Sequence, residues 1–258
     1  MNRKYTFAVG LWILISGCST GHPVLCLSSL NGETSSYVYR YDGNQLEGSY
    51  PFQRNLAQID NSTVWLSSVE IQKQIEKGEV WDLNYTFSLK KGHMSNAGVG
   101  IEFKFENWDT SNQVFVPAAV YNGNRFRSLN IPYPPYIYDK KEKEPDMPVT
   151  ITQVPRLSVQ PEPSRIEMLT SNCTTPMLSF YSPSRQKGFI LLTTQDTRLG
   201  NSGFTIREDP EEHTASFIVA APGVREKKYV MTNLIDSEDH AIDWNEGDNV
   251  SVRLKVYN

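Results

Sequence analysis

The chain has 258 residues, with 25 Lys and Arg against 29 Asp and Glu, a formal net charge of −4, and 39% hydrophobic residues. That length suits one large domain or two small ones. The slight negative charge and the lack of a Lys/Arg block argue against nucleic acid, whose binding rests on phosphate neutralisation.

Asn2-Arg3-Lys4 form a short basic segment, and residues 5–15 an apolar run too short to span a bilayer as a helix. Ile15-Ser16-Gly17-Cys18 then sets small residues before a thiol. This resembles a bacterial lipoprotein signal. The resemblance implies removal of residues 1–17, diacylglycerol on the Cys18 sulfur and an acyl group on its new amine. Several acyl chains anchor stably where one is marginal. The expected address is the cell envelope, lipid-anchored, at the periplasmic face or the cell surface of an outer membrane. A plain secretory signal with an incidental cysteine is the alternative. An extra-cytoplasmic address permits a disulfide between Cys26 and Cys173, which the sequence leaves open. Residues 18–36 are mostly small and polar and read as a flexible tether.

A domain over 37–258 follows, built of segments with two-residue alternation. In 80–90, Trp81, Leu83, Tyr85, Phe87 and Leu89 alternate with Asp82, Asn84, Thr86 and Ser88. In 99–106, Val99, Ile101, Phe103 and Phe105 alternate with Glu102, Lys104 and Glu106. In 249–257, Val250, Val252, Leu254 and Val256 alternate with Ser251, Arg253, Lys255 and Tyr257. Each reads as a half-buried antiparallel strand. Shorter candidates lie at 37–41, 63–71, 113–121, 165–169, 177–182, 188–194, 204–208, 215–222 and 229–234. Turn signals separate them, including Asp42-Gly43, Lys91-Gly92 and Asn122-Gly123. Only 70–78 has a helical flavour, with Ile71 and Ile75 four apart. The class is all-β, a large antiparallel β-sandwich.

One stretch breaks the pattern. Residues 129–164 carry Pro132, Pro134, Pro135, Pro145, Pro148, Pro155, Pro161 and Pro163 around a charge run at 139–146. Proline gives no ladder donor, so central strands are excluded there, and so long a loop is functional or a linker. A single sandwich with a long excursion is preferred to two domains at about 1–130 and 165–258.

No catalytic constellation is visible. Glu102 and Glu106 lie on the polar face of a strand and read as solvated. Asp109 sits in a turn beside Trp108. His22, His93, His213 and His240 read as loop residues without metal-ligand spacing. The acidic segment 236–248 lacks the spacing and central glycine of a calcium loop. No cofactor and no metal are expected.

Aromatic residues in loops give the other signal. Sugars stack their C–H faces on aromatic rings while amide and charged side chains bind the hydroxyls. Trp108, Tyr121, Asn122, Asn124, Arg125, Tyr133 and Tyr136 fall within a short span, largely in predicted turns, and are the carbohydrate-binding candidates. The competing reading makes Asn122-Gly123 a type I′ hairpin turn flanked by strand residues.

Residues 106–126 (ENWDTSNQVFVPAAVYNGNRF), 179–209, 221–229 (APGVREKKY) and 244–258 (WNEGDNVSVRLKVYN) together resemble the N-terminal β-sandwich, or supersandwich, domain of secreted Bacteroidetes glycoside hydrolases and related polysaccharide-degrading enzymes. The resemblance covers most of 37–258. It implies an (α/α)6 barrel after the strand at 249–257, carrying most of the catalytic carboxylates. No such barrel lies within these 258 residues, so no catalytic residue carries over. The 121–126 loop would lie near the junction with the barrel. Three readings result: a lipid-anchored carbohydrate-associated module without a complete active site, half of a hydrolase completed by a separate helical partner, or a structural or adhesive surface lipoprotein. The first makes a glycan the expected partner, and no nucleic acid.

Overall fold

The computed structural model describes residues 27–76, 78–125, 154–230 and 233–258. Its first strands are β1 (Gly32–Asp42), β2 (Gln45–Pro51), β3 (Leu56–Gln58), β4 (Val64–Glu76), β5 (Gly78–Lys91), β6 (His93–Glu106) and β7 (Gln113–Phe115). After the proline-rich stretch come β8 (Ser164–Leu169), β9 (Met177–Ser182), β10 (Lys187–Thr193), β11 (Asp196–Thr197), β12 (Gly200–Asn201), β13 (Gly203–Asp209) and β14 (Thr214–Ala221). The last are β15 (Lys227–Val230), β16 (Asn233–Asp236), β17 (Ile242–Asn245) and β18 (Asn249–Tyr257). The class is all-β, an antiparallel sandwich.

The front sheet runs β2-β1-β6-β14-β13-β8, with β17 also on β6, and the back sheet runs β3-β4-β5-β18-β10-β9-β7. Both sheets draw strands from either side of the proline-rich stretch: β6 pairs β14, β18 pairs β5, and β7 pairs β9. Alternation places one row of each strand between the sheets. Phe103, Phe105 and Phe217 of the front sheet meet Phe180 and Phe189 of the back, with ring centroids 4.9–6.2 Å apart. Trp65 and Trp244 close another part of this core edge to face at 4.6 Å.

Four expectations are corrected. Residues 27–36 are not tether: Leu27 and Leu30 are buried and β1 begins at Gly32, so the sandwich starts earlier. The backbone there is held by Glu106 N–H on the Asn31 carbonyl (3.0 Å) and by Arg185 Nη1 on the Leu30 carbonyl (2.7 Å). Residues 70–76 continue β4, because pairing along β5 overrides a weak helical pattern. The strand expected at 113–121 stops at Phe115, where Val116 and Val120 bridge across a tight turn. Glu102 is not solvated. β6 is a central strand covered on its outer face as well, and Glu102 is buried.

Candidate functional site

The outer face of the front sheet carries a concavity among the described residues. Tyr37, Tyr39 and Tyr41 alternate along β1 and all point outward, while Val38 enters the core. Their neighbours on β6 are Gly100 opposite Tyr37 and Gly98 opposite Tyr39. Small residues are required here: a Cβ at Gly100 would meet the Tyr39 ring at 2.3 Å. The tyrosines therefore lie down over β6, with Tyr37 and Tyr39 stacked at 5.9 Å and 11° and Tyr41 edge-on at 6.4 Å. Burial pushes all three hydroxyls above the ordinary tyrosine value.

Opposite this wall stand charged groups from three strands. Arg207 of β13 and Arg165 of β8 are direct cross-strand partners, a like-charge pairing that is unfavourable alone. Three carboxylates offset it. Arg207 Nη2 donates to Glu102 Oε1 at 3.2 Å, and Arg165 donates to Glu167 and, at 3.1 Å, to Glu226 Oε1. Glu167 Oε2 also accepts the Glu226 N–H at 2.9 Å. Burial raises the Glu167 carboxyl above its ordinary value, with Arg165 and the Glu226 and Lys227 N–H groups acting in the opposite sense.

Two depressions, of about 200 and 470 Å³, share Glu102, Arg165 and Arg207 as lining. These three residues thus border both depressions, which together make up the front groove. One end is walled by Asn44, whose Nδ2 donates to the carbonyls of Arg225 (3.2 Å), Glu226 (2.8 Å) and Ser237 (2.9 Å). Glu102 and Glu167 are three strands apart, roughly 14 Å between Cα atoms at ~4.8 Å per strand. Each is also held by an arginine. The arrangement suits recognition of hydroxyl groups rather than proton transfer between paired carboxylates.

The sequence-derived candidates lie elsewhere and divide in two. Trp108 is 3% exposed, packed on Phe105, Phe180 and Phe217, and donates its indole N–H to Glu208 Oε1 at 2.7 Å. It offers no face to a sugar, which corrects its assignment as a binding residue. Asn124 is buried too: Oδ1 accepts the Tyr121 N–H (2.9 Å), and Nδ2 donates to the carbonyls of Ala119 and Pro155 (both 2.7 Å). Arg125 pairs with the same Glu208 and donates Nη1 to the Ser158 carbonyl at 2.8 Å. These three residues build the loop.

Asn122-Gly123 is no hairpin turn between strands. Asn122, Gly123 and Asn124 are consecutive left-handed residues, with φ of 49°, 68° and 52°. Asn and Gly tolerate that region best. The result leaves Tyr121 and Asn122 exposed at the edge of the back sheet. Cys18, Tyr133 and Tyr136 lie outside the described residues. Asp109 caps its own turn by accepting the Ser111 N–H at 2.7 Å. Among the described residues no group of three or more His, Cys, Asp and Glu could hold a metal ion.

The sequence matches no protein-family model and no curated protein. Among solved structures, the chain is similar to an Escherichia coli K12 protein provisionally described as an aldose 1-epimerase. Identity is 10%, the coverage is 86% of this chain and 83% of that one, and the TM-score is 0.40. It is also similar to a galactose mutarotase-like protein from Clostridium acetobutylicum, at 10% identity, 88% and 79% coverage and a TM-score of 0.34. At that level no residue role or activity passes from either protein to this chain.

Proposed function

We propose that the chain is a carbohydrate-associated β-sandwich module that binds a neutral glycan in the front-sheet groove and performs no hydrolysis by itself. The observation that supports it is the groove's mixed lining. Each arginine faces a carboxylate, so an anionic ligand would meet Glu102, Glu167 and Glu226, and a cation would have to displace a guanidinium. A sugar hydroxyl can donate to a carboxylate and accept from a guanidinium at once, and Tyr37 and Tyr41, half-buried on either side of the buried Tyr39, give its C–H face an apolar neighbour. The module is read as related to the N-terminal sandwich of glycan-degrading enzymes. It is held at the cell envelope by lipid on Cys18, in the outer membrane.

Calorimetric titration of the mature chain with neutral and uronic-acid hexasaccharides tests the reading. Binding of a neutral probe that Tyr37→Ala and Glu167→Gln each weaken at least tenfold is expected. Heat with acidic probes only, or none across the panel, overturns it. Mass spectrometry of the N-terminal peptide from membranes tests the lipid, and an unmodified Cys18 removes that part.

A further inference from the structure

We infer that the edge of the back sheet is a second saccharide site, independent of the front groove and selective for neutral sugar chains; this rests on the reading of the chain as a glycan binder. A groove of about 400 Å³ runs there between β7, β9 and β10, within the size range of ligand sites. It is lined by Gln113, Phe115, Tyr121, Asn122, Tyr181 and Ile190, over Gly188. No Asp, Glu, Lys, Arg or His is among the lining residues. The polar groups are amides and hydroxyls, which bind sugar hydroxyls without selecting a charge.

The rings are placed in advance. Tyr121 is 58% exposed, yet its hydroxyl accepts the Ala118 N–H at 3.1 Å and its ring packs edge to face on Phe115 at 5.3 Å. Tyr181 and Ile190 are 44% and 37% exposed on the same face. An exposed ring held at both ends loses little freedom when a ligand stacks on it, which favours binding. Gly188 leaves the floor low: a Cβ there would meet nothing nearer than the Phe180 carbonyl oxygen at 3.4 Å. A peptide strand is the poorer occupant, because β7 offers three residues before the Val116–Val120 turn ends the edge. The two sites lie on opposite outer faces of the sandwich, so one chain can hold two glycan strands.

The mature chain is titrated with neutral hexasaccharides of glucose, xylose and mannose by calorimetry and NMR. Two sites per chain are expected with at least one probe. Tyr121→Ala should remove one of them and leave the front site unchanged, and Tyr37→Ala should do the reverse. Tyr121→Phe keeps the ring and should weaken the back site less than threefold. Gly188→Val fills the floor without removing a packing contact, and should abolish the back site in a chain of unaltered melting temperature. A single site insensitive to Tyr121→Ala and Gly188→Val overturns this inference and leaves the front-groove reading standing. A single site lost only in those two variants supports the inference and overturns the front groove. A concentration-dependent dimer dissolved by Tyr181→Ala, with no sugar bound at the edge, overturns the inference in favour of self-association.

Discussion

The Trp108 indole N–H and Glu208 Oε1 meet at 2.7 Å across a separation of 100 residues, and Arg125 reaches the same carboxylate from the other side. The Glu208 side chain is 1% exposed and that of Arg125 10%. A buried carboxylate holding an indole and a guanidinium fixes the 121–125 loop against the front sheet. Removing one partner strands the other charge, which costs about 3–5 kcal/mol. Arg125→Ala is therefore expected to lower unfolding free energy by that amount in urea titration, and Arg125→Lys by nearly as much because the second donor of the fork is lost. Trp108→Phe should cost less, about 1–3 kcal/mol, since the ring volume largely stays and one charge-assisted bond goes.

Gly100 and Tyr39 supply a second test. The ring rests where a Cβ would stand at 2.3 Å, so Gly100→Ala must lift the tyrosine wall. Overpacking of this kind costs about 1–3 kcal/mol. The expected outcome is a folded chain whose front groove binds neutral sugar at least tenfold more weakly, while the back-sheet edge is unaffected. Calorimetry beside a urea titration separates the two effects.

Alternation made most strands legible, because half-buried strands such as β5 and β18 carry their core row in plain view. It could not say which face of residues 37–41 enters the core, and there the aromatic row points outward over glycines while Val38 goes in. Nor could it tell a solvated Glu102 from one covered by neighbours, since that depends on β6 being central. Trp108, Asn124 and Arg125 carried the right chemistry for a sugar site but are consumed by Glu208 and by loop carbonyls. Those partners lie far along the chain, and composition does not reveal them. Tyr121 and Asn122 kept the exposure that the turn signal around Gly123 implied. The front groove was missed because its arginines and carboxylates come from β6, β8, β13 and the segment before β15, each of which alone looks like an ordinary polar strand face.

Asn44 gives a third prediction. The two hydrogens of its amide nitrogen are shared among three carbonyls and tie the β1–β2 turn to Arg225, Glu226 and Ser237. Asn96 Nδ2 holds the same turn through the carbonyls of Tyr41 (2.9 Å) and Gly43 (2.8 Å). Asn44→Ala takes this donor from the Arg225 and Ser237 carbonyls, while the Glu226 carbonyl keeps the Ser237 N–H at 3.0 Å, and is expected to cost about 1–3 kcal/mol. Amide hydrogen exchange should accelerate at residues 225–237 and not in β5 or β18. Uniform acceleration across both sheets would show that the clamp acts on global stability instead.

Stability should pass through a shallow maximum on the acid side, because two kinds of carboxylate pull in opposite directions. Glu167 is raised above its ordinary 4.5, chiefly by burial. Its native state holds the proton more tightly, so stability rises as pH falls through the raised value and levels off below 4.5. Asp239 behaves in reverse. Burial raises it, but the hydrogen bonds from Arg225 (2.6 and 3.1 Å) and Ser237 outweigh that and leave it below 3.8. Asp60, bonded by Ser62 and Thr63, is lowered as well. Their contributions are complete above 3.8 and disappear as pH falls through the lowered values. Melting temperature measured from pH 7 to pH 2 should climb slightly toward pH 4.5 and then fall. Glu167→Gln should erase the climb, and Asp239→Asn should flatten the fall at the expense of lower stability at pH 7. A monotonic decline from pH 7 in the parent chain, unchanged by Glu167→Gln, would show that the front-groove carboxylate is solvated rather than buried beside Arg165.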